Sequence, residues 1–315
     1  MKDDKPEKPD DNLPIKENPN TVNQEAASSL EKTLSEMGVI ILNDKDIEKK
    51  KPKIGEGTNG KVYGGSFKGE PVAIKKIKLA LEESFEDQEC LKEILNEIKC
   101  AQKVQNQFIP KFYGLWKSKN RYNLVFEFIS GKTLKDKYKD LDDKQKLQVL
   151  LQLSKILEII HSEHLIHRDI KPSNIMISDD LNVKLIDFGV SKISQRTETF
   201  TGSISGTTRY TAPEYFQIDL TGTQTIHINN KIDIWSTGCL ISEIFSGILP
   251  WKNKVGNEVH LRRKLMLKTE FPIPEKEIKY PGIIEVIRKC LNVSPENRVN
   301  AEELSKLIKE KLDNL

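Results

Sequence analysis

The sequence has few of the residues that build metal centres and disulfide frameworks. Its 315 residues include four cysteines and five histidines, and no two cysteines lie in the close pairs that zinc sites of the Cys/His type need. Few and scattered cysteines are typical of reduced thiols in a cytosolic protein. We therefore expect a cytoplasmic protein without a Cys/His metal site, in which four free thiols pack in the interior: Cys90, Cys100, Cys239 and Cys290.

Long apolar runs and a large charge of one sign are also lacking. No run approaches the roughly 18 residues of a membrane span. The 50 basic residues nearly balance the 47 acidic ones, and a net charge of +3 gives no reason to expect a nucleic-acid partner. Residues 1–4, Met-Lys-Asp-Asp, match neither a signal peptide nor a myristoylation start. These features predict neither a membrane partner nor a nucleic-acid partner.

The first 45 residues differ in composition from the rest of the chain. They are mostly polar and hold four prolines, which is typical of a disordered arm, although residues 26–37 could form a short helix. We therefore predict a disordered arm over residues 1–45 and a folded domain over residues 46–315. A chain of this length can form two domains or one two-lobed unit.

Two short motifs carry the clearest chemical signal. Residues 167–174 read His-Arg-Asp-Ile-Lys-Pro-Ser-Asn, and residues 187–189 read Asp-Phe-Gly. They place two acids, a lysine and an asparagine at the spacing that phosphoryl transfer from ATP requires. Apolar anchors such as Ile175 and Leu185 distinguish the segment from a solvated loop, because they would hold it between short strands. The two motifs, in this order, resemble the catalytic and metal-binding segments of eukaryotic protein kinases.

This resemblance implies a role for each polar residue of the motifs. Asp169 would accept the proton of the attacking hydroxyl, and Lys171 would reach the transferring phosphate. Asn174 and Asp187 would hold Mg²⁺, which prefers oxygen ligands and keeps several waters. ATP and Mg²⁺ are therefore the implied cofactors.

A glycine-rich stretch lies in the N-terminal half of the chain. Residues 55–62 read Gly-Glu-Gly-Thr-Asn-Gly-Lys-Val, a pattern that by itself also fits dinucleotide-binding folds. A dinucleotide-binding turn should run into a helix, whereas residues 62–75 predict a strand, a turn and a second strand. We therefore predict a strand pair that folds over phosphates, with glycines that let backbone N–H groups approach the phosphate oxygens.

Lys75 follows Val72-Ala73-Ile74 and matches the lysine that binds the α- and β-phosphates in the family. Residues 83–104 predict an amphipathic helix that would supply its acidic partner. Glu89, Glu93 and Glu97 compete for this role, and the family spacing favours Glu97. Ala101 is small where the family usually has a larger apolar residue, so the helix is expected to need outside support to hold its active position.

The resemblance also implies where the nucleotide binds. The smaller lobe would span residues 46–126, the hinge residues 127–131 and the larger lobe residues 132–315, with Phe126 as the gatekeeper of a small back pocket. The hinge backbone would read the adenine edge. The predicted ATP-binding residues are Ile54, Gly55, Glu56, Gly57, Gly60, Val62, Ala73, Lys75, Glu127, Ile129 and Met176.

The larger lobe is predicted to be mainly helical. Apolar residues at helical spacing predict helices over residues 141–161 and 232–245, with an N-cap at Asp142 or Asp143 and an end at Gly247. Asn300 with Glu303 predicts a capped final helix. The resemblance implies two further anchors in this lobe. Asp233 would grip the backbone of the catalytic loop, and Glu214 would pair with Arg298.

The segment between Asp187 and Glu214 is rich in hydroxyl groups and resembles an activation loop. A phosphate on Ser203, or alternatively on Thr199, would add charge that Arg168 can bind. Thr207 would instead hydrogen-bond the catalytic acid and lysine, so we assign it to the catalytic group. Residues 216–231 are longer than the family pattern and would lie near the substrate-docking surface.

Taken together, the resemblance implies an α+β, two-lobed fold with a small antiparallel sheet plus one helix and a larger helical lobe. It implies an ATP-dependent serine/threonine protein kinase in intracellular signalling. Dual specificity is left open because residues 187–192 resemble kinases that activate MAP kinases, whereas the short hairpin over residues 65–72 resembles tyrosine-kinase-like serine/threonine kinases. Its partners would be a protein substrate, which could itself be a kinase, and an upstream activating kinase, and the chain would act as a monomer. A scaffold without activity would lack one of the catalytic residues named above, and a small-molecule phosphotransferase would lack Ala212-Pro213-Glu214.

Overall fold

The computed structural model describes residues 32–57, 60–77, 85–118, 121–193, 198–200, 208–216, 226–252 and 271–315. The N-terminal part contains a six-stranded sheet with the strand order β1-β5-β6-β4-β3-β2, in which all neighbours are antiparallel except β1 and β5. The strands are β1 (Ile41–Leu42), β2 (Ile47–Gly57), β3 (Gly60–Phe67), β4 (Glu70–Ile77), β5 (Phe112–Ser118) and β6 (Arg121–Glu127).

The β3–β4 hairpin follows directly from local chemistry. Lys68 and Gly69, the two residues of its loop, have φ angles of 51° and 88°, and positive φ at both positions matches the right-handed twist of the flanking strands. Helix α1 (Phe85–Lys103) packs against this sheet through Ile94 and Ile98, which lie four residues apart on one face. The hairpin and the helix together place Lys75 and Glu97 on facing elements.

The C-terminal part is mainly helical. Its main helices are α2 (Leu134–Lys137), α3 (Asp143–Ser162), α4 (Lys231–Ser246), α5 (Ile284–Cys290) and α6 (Ala301–Asp313). One short 3₁₀-helix, Asp44–Asp46, lies in the N-terminal part between β1 and β2. The others lie in the C-terminal part, at Pro172–Asn174, Thr208–Tyr210, Pro213–Phe216, Glu275–Glu277, Pro281–Ile283 and Pro295–Asn297. Seven short strands complete this part: β7 (Lys132–Thr133), β8 (Leu165–Ile166), β9 (Ile175–Ile177), β10 (Val183–Leu185), β11 (Lys192–Ile193), β12 (Glu198–Phe200) and β13 (Ile226–Ile228). They form a three-stranded sheet in the order β10-β9-β7 and two pairs, β11-β8 and β12-β13.

The helix ends confirm the sequence predictions. Asp142 and Gln145 form a reciprocal capping box at the start of α3, and Asn300 and Glu303 form another at the start of α6. Gly247, with φ of 76°, ends α4 in the left-handed conformation that glycine adopts without strain. Helix α4 is buried along nearly its whole length and forms the centre of the larger core.

The structure differs from the predicted disordered arm at its C-terminal end. Residues 32–36 are helical, within the predicted 26–37, and Leu34, Val39 and Leu42 are buried against the sheet and α1. These residues are ordered because they bury apolar side chains, which offsets the entropy lost on ordering them. Residues 1–31 lie outside the described part of the chain.

Three cysteines, Cys100, Cys239 and Cys290, are buried free thiols, and burial raises the pKa of the Cys100 thiol to about 12. The side chain of Cys90 lies outside the described residues. Within the described ranges, none of the helices is both long enough and apolar enough to cross a bilayer.

A buried ion pair joins the turn at Glu214 to the segment before α6. Arg298 Nη1 and Nη2 donate to Glu214 Oε1 and Oε2 at 2.6 and 2.7 Å, in a bidentate geometry. The Arg298 side chain is completely buried, and its Nε donates to the Asn292 carbonyl at 2.6 Å. This pair therefore ties the predicted end of the activation loop to the helical core.

We expect Arg298→Met to destabilise the fold strongly, because it leaves the Glu214 carboxylate buried without its bidentate partner. Breaking a buried pair from one side costs about 3–5 kcal/mol. Urea unfolding measured beside Arg288→Met, which removes an exposed pair with Glu275, checks this expectation. Equal unfolding midpoints for the two variants would contradict it.

Candidate functional site

A cavity of about 520 Å³ lies between the sheet and the helical part. Its walls come from β2, β3, β4, α1, the segment after β6, and the loops that carry the two polar motifs. Most residues predicted for the site line it: Ile54, Gly55, Val62, Ala73, Lys75, Glu97, Glu127, Ile129, Lys171, Asn174, Met176 and Asp187. Residues far apart in sequence thus meet in one cleft.

Lys75 is the centre of a buried charge network in this cavity. Its Nζ lies 2.7 and 2.8 Å from the Glu97 carboxylate oxygens and 2.8 Å from Asp187 Oδ1. Glu97 is therefore the glutamate of α1 that contacts Lys75. Burial opposes the lysine charge, but the Glu97 and Asp187 carboxylates outweigh it and raise the Lys75 pKa above its usual range. The ammonium group is therefore held charged.

Lys75 in turn favours the ionised form of Asp187. Burial disfavours its carboxylate, but the charge of Lys75 and the hydrogen bond from it hold the Asp187 pKa below its ordinary value. The Asp187 backbone has φ of 66°, in the left-handed region that non-glycine residues seldom occupy and that aspartate tolerates better than most. This conformation brings the carboxylate to Lys75 across the cleft.

A second polar group surrounds Asp169. Lys171 Nζ lies 2.6 Å from Asp169 Oδ2, and Asn174 Nδ2 donates to both the backbone carbonyl and Oδ2 of Asp169 at 2.8 Å. Because the Asn174 amide nitrogen donates to Asp169, its amide oxygen is the atom that can ligate a cation. The three side chains are thus held in one orientation by hydrogen bonds among themselves.

Asp233 holds the loop that carries these residues. Its carboxylate accepts hydrogen bonds from the backbone N–H groups of His167 and Arg168 at 2.9 and 2.8 Å, and His161 Nε2 lies 2.9 Å away. Asp233 is completely buried. Burial alone would raise the pKa of its carboxyl, but the bond to His161 and the loop N–H groups hold the Asp233 pKa below its ordinary value.

Arg168, the residue expected to bind an activating phosphate, is held in a defined place. Its Nε donates to the Tyr215 hydroxyl at 2.8 Å, and its backbone φ is 70°. The residues of the predicted switch fall mostly outside the described part of the chain. This applies to Ser203, to Thr207 and to the side chain of Thr199, whereas the backbone of Thr199 lies in β12 opposite His227 in β13. Among the predicted ATP-binding residues, the side chain of Glu56 also lies outside the described part of the chain, and Gly57 is described only as the last residue of β2.

Glycine is also required at position 60 for a structural reason, apart from the predicted approach to phosphate. A Cβ atom at this position would lie 2.2 Å from the Lys76 carbonyl oxygen, and φ is 158°. Any side chain would therefore push β3 away from β4. Gly60 is required for the hairpin to close, whatever binds beneath it.

Sequence reasoning missed several residues of the site. The lining of the cavity also includes the apolar residues Ala101, Ile109 and Phe188 and the charged residues Lys135 and Asp136. His161 was also missed as a partner of Asp233. The small side chain of Ala101 was a usable signal, because a residue without bulk leaves room for a cavity. Lys135 and Asp136 gave no such signal in the sequence.

Comparison with known proteins agrees with this geometry. The family described as "Protein kinase domain" matches residues 48–307. A probable serine/threonine-protein kinase of Clostridium acetobutylicum is 30% identical over 85% of this chain and 40% of its own length. Cyclin-dependent kinase-like 1 of Caenorhabditis elegans is 29% identical over 80% of this chain and 77% of its own length.

A third relative, mitogen-activated protein kinase kinase kinase 3 of Arabidopsis thaliana, is 30% identical over 80% of this chain and 39% of its own length. The chain therefore spans less than half of two of these three relatives. The family match covers most of the chain, both lobes and all the polar groups of the cleft. This protein belongs to the eukaryotic protein kinase superfamily, of the serine/threonine type.

Proposed function

We propose that this protein transfers the γ-phosphoryl group of ATP to serine and threonine hydroxyls of protein substrates. The observation that carries the proposal is the meeting, in one cleft, of the Lys75–Glu97–Asp187 network with the Asp169–Lys171–Asn174 group. Phosphoryl transfer requires positioning of the two substrates and neutralisation of dispersed negative charge, and these two groups can supply both.

Each residue acts through the geometry it already has. Asp169 accepts the proton of the attacking hydroxyl, with its carboxylate oriented by Asn174 and Lys171. Lys171 lies beside that carboxylate and can also reach the transferring phosphate. Lys75, held charged by Glu97, binds phosphate oxygens of ATP. Thr207 is assigned to the same group by resemblance, and its position lies outside the described residues.

The donor set of the cleft fits Mg²⁺. Asp187 offers a carboxylate and Asn174 an amide oxygen on the same cavity wall, and hard oxygen donors of this kind suit a cation that keeps several waters. When bound, Mg²⁺ would neutralise charge on the phosphates. The contact between Lys75 and Asp187 holds the carboxylate where the phosphates are expected.

The adenine ring of ATP fits the apolar part of the cleft. Ile54, Val62, Ala73 and Met176 line it from both lobes, and flat apolar walls favour a stacked heterocycle. The N–H of Glu127 donates to the Lys111 carbonyl at 2.8 Å, and its carboxylate lies 2.8 Å from Lys184 Nζ. The Glu127 N–H and carboxylate are thus already bonded within the protein. We therefore assign hydrogen bonding to the adenine edge mainly to the backbone around Ile129.

Regulation by phosphorylation of the activation loop is part of the proposal. The hydroxyl-rich segment after Asp187 and the position of Arg168 beside Tyr215 support it. The partners would be an upstream activating kinase and a protein substrate. The name of the Arabidopsis relative, which refers to a kinase of kinases, supports a kinase as that substrate. Dual specificity, a cytoplasmic location and a monomeric state belong to the same proposal.

We expect Lys75→Met and Asp169→Ala each to lower phosphate transfer from labelled ATP to a generic Ser/Thr substrate by at least about a hundredfold. Lys75→Met removes the charge that binds phosphate, and Asp169→Ala removes the proton acceptor. Lys76→Met changes the next residue on the same strand, and Asp179→Ala removes an exposed carboxylate; both controls should keep wild-type transfer.

Two outcomes would contradict the proposed chemistry. The first is transfer that survives in both Lys75→Met and Asp169→Ala. The second is wild-type protein that neither binds ATP nor becomes active after treatment with an upstream kinase, which would favour a scaffold role.

Removal of phosphate from the protein purified in its active form should lower its activity, because Arg168 would lose the phosphate that orders the loop. Mass spectrometry of the active form should then find phosphate on Ser203 or Thr199. Ser203→Ala, Thr199→Ala and, as a control, Ser205→Ala separate these sites. Full activity of Ser203→Ala and Thr199→Ala combined, after complete dephosphorylation, would contradict a loop switch.

A further inference from the structure

Residues 33–42, here called the N-terminal segment, lie ahead of the region matched by the protein kinase family, which begins at residue 48. They are nevertheless built into the smaller lobe. Leu34 is completely buried, and Val39 and Leu42 are each only 7% exposed. This packing is a property of this chain, and the family match does not account for it.

The segment has a defined shape, because a hydrogen-bonded cap ends its helical turn. The N–H of Val39 donates to the Leu34 carbonyl, and the N–H of Gly38 donates to the Ser35 carbonyl, both at 2.9 Å. Gly38 has φ of 68°. This is the bonding pattern of the Schellman motif, which brings the apolar residues on either side of the cap into contact. Leu34 and Val39 are those two residues, and they project from the same cap.

Leu34 and Val39 enter the apolar cluster that positions α1. The cluster contains Ile94 and Ile98 of α1 together with Leu115 and Leu124 of the sheet. Met37 packs against the same cluster, and Gln102 Nε2 of α1 donates to the Met37 carbonyl at 3.4 Å. The N-terminal segment therefore contacts α1 through both its apolar side chains and its backbone.

The sheet holds the other end of the segment. The N–H of Leu115 donates to the Ile40 carbonyl at 2.9 Å, and β1 continues as a parallel partner of β5. A Cβ atom at Gly114 would lie 2.3 Å from the Ile40 carbonyl oxygen. The glycine at position 114 is therefore needed for the segment to approach the sheet this closely.

The helix that receives this support carries Glu97. Ile94 lies one turn before Glu97 and Ile98 directly after it, so the cluster and the Lys75 contact use neighbouring faces of α1. Ala101, one turn after Glu97, lines the nucleotide cavity and offers little bulk of its own to hold the helix. The cluster therefore supplies apolar contacts to the part of α1 that carries Glu97.

We propose that the N-terminal segment is an intramolecular brace for α1, with Leu34 as a positioning residue that keeps Glu97 on Lys75. Helix α1 can occupy positions in which Glu97 does or does not contact Lys75. The apolar contacts of the brace favour the position with the Lys75–Glu97 contact and so shift this equilibrium toward it. This inference rests on the proposed kinase function for its activity readout, whereas its structural readout is independent of that function.

The test compares Leu34→Ala with Leu304→Ala in the full chain. Both leucines are completely buried, but Leu304 lies in α6 of the larger lobe. Leu34→Ala should lower kcat/KM by about tenfold more than Leu304→Ala, because it reduces the competent fraction of the enzyme. Amide hydrogen exchange should rise over residues 94–103 in Leu34→Ala and stay unchanged there in Leu304→Ala. Leu34→Met, which refills the site, should restore both readouts.

Equal activity losses in the two alanine variants, or unchanged exchange over residues 94–103 in Leu34→Ala, would overturn the brace. If Leu34→Ala does not fold, Met37→Ala makes a smaller cavity in the same cluster and is judged by the same two criteria. If the wild-type protein transfers no phosphate, the proposed function fails and the exchange comparison alone decides on the brace.

Discussion

The burial of one positive charge, on Lys75, sets the main constraint on this structure. A buried ammonium group is costly unless carboxylates surround it, and the two carboxylates come from Glu97 on α1 and Asp187 in the opposite lobe. The sheet, the helix and the loop after β10 must therefore meet at one point. A cleft results, because the three elements converge on the charge without filling the space beside it.

A second buried charge organises the loop that carries Asp169 in the same way. Asp233, on a helix buried along nearly its whole length, holds the backbone of His167 and Arg168 and contacts His161. The loop then presents Asp169, Lys171 and Asn174 as one hydrogen-bonded group. Both lobes thus use a buried ion, with partners from distant segments, to hold flexible polar side chains in defined positions. When polar groups are already held in position, they do not have to reorient during a reaction, which lowers its barrier.

Features that depend on residues close in sequence were predictable, and contacts between distant segments were not. The caps at Asp142 and Asn300 and the helix end at Gly247 were predictable, because each depends on residues within one turn. The packing of the N-terminal segment was not, since the apolar run of residues 39–42 does not show by itself which side chains are buried. Leu34, Val39 and Leu42 become a core only when α1 and the sheet lie beside them. The roles of the site residues remain predictions, although the structure brings most of them to one cleft.

The sequence by itself identified the residues to which we assign the chemistry of the site. The capping residues and the glycines of the hairpin could be recognised because their partners are near in the chain. The acids, lysines and asparagine of the site could be recognised because their spacing resembles that of a known family. The tertiary structure brings Glu97, which the family spacing favoured, to Lys75. Only the tertiary structure decided that His161 joins Asp233 and that the chain ahead of the family match packs on α1. These contacts join segments far apart in sequence, and a contact of that kind depends on the packing of the whole fold, which no local pattern encodes.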